Sequence, residues 1–531
     1  MNANIARHLD EMAASQAGRP ALKVPRGRTA SGRIDYLTLS FAELLGETNA
    51  WCERLRSRGV VRGDRVLVMV KPGLPLIALA FALFKLGAVP VIIDPGMGLR
   101  SFLSCVRRSQ PRVLVGISVA VLLSRILAWE FGSVEIRVPA GSATQRIAGD
   151  SPASSQPAEA APGDLAAILF TSGSTGEPKG VRYEHGMFEA QVRIIREAYG
   201  IEPGEVDMPL LPIFALFNPA LGMTSVIPEM DPRHPARADA GKLVQAILQE
   251  GVTNSFGSPT LWGKVAAHCQ AHGLDLPSLR RVLCAGAPVP AGLWTASRSF
   301  LSGGLLHSPY GATEALPVTT IAEGEAEPGS VAGACVGRPV SGLEVRIIAI
   351  SEGPLPAVRG LLAAGAPGEI IVRGPVVTRE YDGMPEATSR AKIPDGEGGF
   401  WHRMGDCGIL GADGRLWYLG RIAERVVTAA ATFFTEPCEQ VFRRHPQASR
   451  CALVGLGGEP AIVVEAAVAG EGEAEVLAAE LRRLALCYEH TAAIRTFLFR
   501  ADFPVDVRHN AKIHRLSLAR WAASARSLRL P

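Results

Sequence analysis

Leu165-Ala-Ala-Ile-Leu-Phe170 runs without a break into Thr171-Ser-Gly-Ser-Thr-Gly-Glu-Pro-Lys-Gly180, and this junction decides how the chain is read. The first run is apolar and has the length of a buried strand. The ten residues after it carry three glycines, four hydroxyl side chains and one lysine. Such a loop presents backbone N–H groups, hydroxyls and an ammonium to a polyphosphate. A plain surface turn needs no such density of phosphate-binding groups directly after a core strand. The loop is not a Walker A sequence, because Gly180 follows Lys179 where a serine or threonine is required. The candidate phosphate ligands are Thr171, Ser172, Gly173, Ser174, Thr175, Gly176 and Lys179.

Strand and helix signals alternate upstream of this loop. Phe41–Trp51 is amphipathic at helical spacing. Asp64–Val70 reads as a strand, residues 74–86 as an apolar helix and Ala88–Asp94 as a second strand. Strand, helix and strand at this spacing make a βαβ unit, hence a largely parallel sheet. Val113–Gly116 starts a further unit, and residues 139–163, rich in Ala, Ser, Pro and Gly, read as a flexible connection. Past residue 420 the pattern changes to a short α+β tail, with strands near 452 and 461 and a helix over 473–487. The expected fold is α/β: an N-terminal domain, residues 1–420, of layered parallel-sheet subdomains, and a small mobile α+β C-terminal domain, residues 421–531. No internal repeat is visible.

Composition narrows the function classes. An apolar content of 47% and a charged content of 20% are ordinary for a soluble globular enzyme. A net charge of +4 over 531 residues gives no reason to invoke nucleic acid. None of the nine cysteines forms C-x-x-C, and no His/Cys cluster has zinc spacing, so a reducing cytoplasm is expected. Residues 1–20 lack the apolar core of a secretory leader. The apolar run Leu74–Phe84 is about half a membrane span and ends at Lys85, so a buried helix explains it better than a membrane helix. Peripheral association with a membrane that carries a lipid substrate stays open.

Further segments follow the loop in a fixed order. They are Gly286-Ala-Pro288 after the strand Arg281–Ala285, then Tyr310-Gly-Ala-Thr-Glu314, Gly405-Asp406, Gly420-Arg421 and Lys512. Together they resemble the AMP-forming adenylating superfamily of acyl-CoA synthetases, peptide-synthetase adenylation domains and firefly-type luciferases, and the resemblance covers essentially the whole chain. It implies ATP and Mg²⁺ as cofactors and an acyl-adenylate intermediate. Gly286, Ala287 and Pro288 would pack on adenine, Tyr310 would stack on it, and Gly311 and Thr313 would complete that turn. Glu314 would hold Mg²⁺, since a hard cation prefers carboxylate and phosphate oxygens. Asp406 would accept the ribose hydroxyls and Arg421 would contact ribose or phosphate. Lys512 would neutralise charge at the reacting phosphate, with Thr175, Lys179 and Glu314 also placed in the catalytic set. Taken singly, each has a plainer reading as a core tyrosine, a turn aspartate, a surface glutamate or a solvated lysine. His307 and His509 find no partner in the sequence and are read as structural.

Departures from the superfamily pattern point to one branch. The hinge reads Gly420-Arg-Ile-Ala-Glu-Arg-Val-Val-Thr-Ala-Ala430, with Ala423, Val427 and Ala430 where an aspartate, a lysine and a glycine are usual, and the last motif is Asn510-Ala-Lys512 rather than Ser-Gly-Lys. Alanine lacks glycine's access to positive φ, so Thr428–Thr432 is a poor copy of the usual glycine turn. The strings Pro212–Met223, Val226–Pro232, Glu344–Ile350, His402–Asp406 and Phe503–Ile513 resemble the olefin-pathway β-lactone synthetases. That resemblance implies a 2-alkyl-3-hydroxy fatty acid as substrate, whose own hydroxyl closes the lactone, and leaves open a complex with other olefin-pathway enzymes. Phe214, Phe217 and Met223 are apolar candidates for an alkyl pocket, or for plain core packing. Two other functions remain: a fatty-acyl-CoA or acyl-carrier-protein ligase using the same adenylate, and a non-catalytic adenylate-binding scaffold.

Overall fold

The computed structural model describes residues 2–148, 155–171, 177–231, 234–468, 470–505 and 513–531. The anticipated βαβ unit is present as the strand Arg65–Met69, the helix Leu74–Leu86 and the strand Val89–Ile92, with the two strands parallel neighbours. Twelve of the helix's thirteen residues are buried, which is how a helix apolar on every side is accommodated. No helix among the described residues is long and apolar enough to cross a membrane.

This unit belongs to a six-stranded sheet, ordered Ile136–Pro139, Val113–Gly116, Arg65–Met69, Val89–Ile92, Leu165–Thr171 and Lys179–Glu184. Its first five strands are parallel and its last pair is antiparallel. A second sheet of fourteen strands is parallel through Asn254–Gly257, Arg281–Cys284 and Leu305–Ala312. Beyond Leu305–Ala312 it continues as antiparallel strands, including the hairpin of Phe400–Leu410 and Leu416–Arg421. The βαβ reading anticipates the parallel part and not this antiparallel wing. From Val426 onward the chain builds its own apolar core, with Phe442, Leu453, Ile462 and Phe497 fully buried around a four-stranded sheet.

The expected flexible connection is more constrained than its composition suggests. The backbone N–H groups of Ile147 and Ala148 donate to the buried Glu47 carboxylate at 2.7 and 3.1 Å. At the far end Asn4 donates to the Ala158 carbonyl at 2.9 Å, and Ala158 N–H donates to the Lys85 carbonyl at 2.8 Å. The backbone groups of Ile147, Ala148 and Ala158 tie both ends of the connection to the domain. The segment between, 149–154, lies outside the described residues.

Candidate active site

The strand Leu305–Ala312 stands where the large sheet turns from parallel to antiparallel. Its last register pair with the next strand is Ala312 with Ala315, so Thr313 and Glu314 form a two-residue turn at its end. Gly311 is required just before that turn, because a Cβ there would lie 2.5 Å from the Ala315 carbonyl oxygen. Gly286, Ala287 and Pro288 follow the parallel neighbour Arg281–Cys284, whose Leu283 pairs with His307, and so lie at the same sheet end as Tyr310.

The Phe400–Leu410 hairpin brings Asp406 directly opposite Arg421. Arg421 Nε lies 3.1 Å from Asp406 Oδ1, and the Tyr310 hydroxyl donates to Oδ2 at 2.7 Å. Asp406 is 3% exposed, so its charge is met by protein groups rather than water. That charge holds the Arg421 guanidinium firmly protonated. Burial, with Asp406 adding to it, pushes the Tyr310 phenol well above its ordinary value, so it stays a donor. The Tyr418 ring centroid sits 6.0 Å from that of Tyr310. Gly420 has φ +126°, and a Cβ there would lie 2.0 Å from Thr435 Oγ1. Only glycine lets the first helix of the C-terminal region, Thr435–Phe442, sit this close behind Arg421.

Glu314 is arranged differently. Its carboxylate is half-buried and accepts from the Tyr381 hydroxyl at 2.8 Å. Lys179 Nζ lies 4.7 Å from the Tyr381 ring centroid, so Tyr381 touches both the loop lysine and the acid. Tyr183 secures the turn by donating to the Thr313 carbonyl at 2.5 Å. Behind it, Thr378 N–H donates to the Glu314 carbonyl at 2.9 Å, and Lys392 Nζ donates to the Thr378 carbonyl. Lys392 is 9% exposed, and burial draws its pKa down to about 7. Its register partner His402 is buried and pushed well below its ordinary value by burial and then by Lys392. Among the described residues no group of three or more His, Cys, Asp or Glu surrounds Glu314. One half-exposed carboxylate with a spare oxygen fits a cation that takes most of its ligands from phosphate and water.

Lys179 opens the strand Lys179–Glu184 and pairs with Thr171, so the two bracket the loop. Ser172, Gly173, Ser174, Thr175 and Gly176 lie outside the described residues, as do Lys512 and His509. Arg108 grips the loop's exit, donating to the Pro178 carbonyl at 2.6 Å and to Glu177 at 2.8 Å. Just past Lys512, Arg515 reaches Glu424 at 3.1 Å and Glu439 at 2.7 Å, tying that part of the tail to the hinge. The hinge turn at 428–431 is closed without glycine. Thr428 Oγ1 accepts from the N–H groups of Ala430 and Ala431 at 3.2 and 3.0 Å.

Of the apolar candidates, Phe214 is half-buried and stacks on Phe256 at 3.9 Å between centroids, and Phe217 sits 6.1 Å from Phe188. Met223 is 3% exposed and packs in the core, its sulfur accepting from Asn254 at 3.6 Å. The buried carboxyl nearby, Asp207, is raised to about 7 by burial and accepts from Asn218 at 2.8 Å. His307 packs edge-on against Tyr199, and burial lowers it to about 4, as suits a structural histidine. Sequence reasoning does not single out Tyr381, Lys392, Arg108 or Arg515. Only for Lys392 is there a local signal, a lysine flanked by Ala391 and Ile393.

A family model described as AMP-binding enzyme matches residues 9–382. The chain is 45% identical to an olefin beta-lactone synthetase of Xanthomonas campestris pv. campestris, over 98% of both chains. It is 42% identical to the olefin beta-lactone synthetase of Stenotrophomonas maltophilia, again over 98% of both. Among solved structures it resembles amide bond synthetase McbA of Marinactinospora thermotolerans. That match has a TM-score of 0.77 at 24% identity, covering 98% of this chain and 99% of the other, and it concerns the fold.

Proposed function

The chain belongs to the AMP-binding enzyme family, and we propose that it is an ATP-dependent β-lactone synthetase acting on a 2-alkyl-3-hydroxy fatty acid. The observation that carries this is the likeness to two olefin beta-lactone synthetases along 98% of the chain, which takes in the altered hinge and the C-terminal strings as well as the nucleotide motifs. In the first step a carboxylate oxygen attacks the α-phosphorus of ATP. The bond to pyrophosphate breaks and an acyl-adenylate remains. In the second, the substrate's β-hydroxyl oxygen attacks the acyl carbon and loses its proton, and AMP leaves as the four-membered ring closes. An intramolecular hydroxyl has a high effective concentration, which offsets part of the ring strain.

The loop at 171–176 and Lys179 hold the triphosphate, Gly286–Pro288 and Tyr310 hold adenine, and Asp406 with Arg421 holds ribose. When bound at Glu314, Mg²⁺ supplies charge neutralisation to the departing pyrophosphate. Residues 421–531 act as a mobile lid that delivers Lys512. Product analysis tests the reading. With a 2-alkyl-3-hydroxy acid, ATP and Mg²⁺ but no CoA, NMR should find lactone ring protons, with AMP and pyrophosphate released in step. An absolute requirement for CoA, with a thioester as product, overturns it.

A further inference from the structure

The helix Ser118–Ile126 lies between the strands Val113–Gly116 and Ile136–Pro139 at the edge of the six-stranded sheet. Ala120 and Ser124 are buried against the sheet, and Val121 and Leu127 pack beside them. Its outer side should then be polar. Instead Val119, Leu122, Leu123, Ile126 and Trp129, at helical spacing, are all between 45% and 79% exposed. Trp129 is the most exposed of the five. These residues form one apolar ridge.

We infer that this ridge seats the protein on an anionic lipid surface, with Leu122, Ile126 and Trp129 entering the headgroup and acyl boundary. Three observations select lipid over a protein partner. The ridge is the outer side of one nine-residue helix and the turn after it, a narrow apolar strip of the kind that lies in a headgroup layer. Its only charge is Arg125, exposed and without an ion-pair partner among the described residues, placed to reach lipid phosphate while its stem lies along the apolar side chains. In the segment around it Arg100 is likewise exposed and without an ion-pair partner among the described residues, whereas Arg107, Arg108 and Arg112 are held by Glu130, by Glu177, and by Asp64 with Glu135. The proposed function supplies the reason for such a surface, since an acid with two alkyl chains resides in membranes. To that extent the inference rests on the lactone reading.

Sedimentation of the full chain with vesicles tests it, without ATP or acid present, so the outcome does not depend on the lactone chemistry. The protein should pellet with phosphatidylethanolamine–phosphatidylglycerol vesicles, and the double variant Leu122→Asp/Ile126→Asp should weaken that binding at least about tenfold. The Trp129 emission should shift to the blue on binding, and Trp129→Phe should lose that shift. Pyrophosphate release from a short, water-soluble 3-hydroxy acid should be unaltered in the double variant, showing that it folds. Wild-type protein that stays in the supernatant at every lipid concentration overturns the inference. So does a double variant that folds and still pellets like the wild type. A wild-type dimer that the double variant converts to monomer also overturns it, by assigning the ridge to a second copy.

Discussion

Asp406 and Glu314 are the two carboxylates of the candidate site, and they are built to opposite ends. Asp406 stands in a strand, almost fully buried, with Arg421 opposite it in the register and the Tyr310 hydroxyl on its other oxygen. Glu314 stands in a two-residue turn, half-exposed, with the neutral Tyr381 hydroxyl on one oxygen. A carboxylate neutralised by a fixed arginine has little charge left to attract a cation but keeps lone pairs for neutral hydroxyls, such as those of a ribose. A carboxylate in direct contact with no cation among the described residues, its side-chain donor being the neutral Tyr381 hydroxyl, keeps more of its charge for a metal. The difference lies in where the counter-charge comes from: the protein for Asp406, the ligand for Glu314.

The largest effect should come from breaking the closed pair. Asp406→Ala leaves Arg421 and the Tyr310 hydroxyl without their acceptor in a site shielded from water. kcat/KM for ATP should fall about 100-fold, as for truncating one member of a buried charge pair. Asp406→Asn keeps the shape and an acceptor and should lose less. Steady-state kinetics with ATP varied measures both. An Asp406→Ala enzyme with near-normal ATP kinetics removes the ribose role and the contrast with it.

Glu314→Gln sharpens the other side. The amide oxygen still accepts from Tyr381, so the turn is kept and only the charge goes. The magnesium concentration for half-maximal pyrophosphate release should rise about tenfold, the scale of one lost ligand charge in a site that relies mainly on phosphate oxygens. A wild-type magnesium titration would assign the cation elsewhere.

The two carboxylates were unequally legible in the sequence. Tyr310 through Glu314 is one continuous string, so the turn and its acid can be read as a unit. Asp406 and Arg421 can each be picked out from their glycines. That they face each other depends on the register of a hairpin turning at Asp413 and Gly414, which neither motif encodes. Lys392 and Tyr381 escape notice because they reach Glu314 through tertiary packing, and nothing adjacent in the chain marks the destination. The helix at 118–126 fails for another reason. Its apolar residues signal a helix, but the pattern does not say that one apolar side stays uncovered. The helix Leu74–Leu86, apolar all round, leaves no such choice and was legible almost to the residue.

A stability measurement decides whether Glu314 has a counter-charge within the protein, because the amine behind it is Lys392. In the unfolded chain this amine titrates at the ordinary lysine value of 10.5, and in the folded protein burial brings it to about 7. Between those values the unfolded chain holds a proton that the native state has released, so native stability rises with pH across that window. The contribution is complete above 10.5 and is lost as pH falls through about 7. Burial sets this value and Glu314 opposes it by favouring the charged amine, while His402 lies opposite in the register. Lys392→Met has no proton to exchange. Its stability relative to wild type should therefore drop by about 2–3 kcal/mol between about pH 6 and about pH 9, read from denaturant midpoints at each pH. A difference that stays constant over that range means that Lys392 remains an ammonium in the folded protein. Glu314 would then have a permanent counter-charge of its own, as Asp406 has in Arg421, and the two carboxylates would no longer differ in kind.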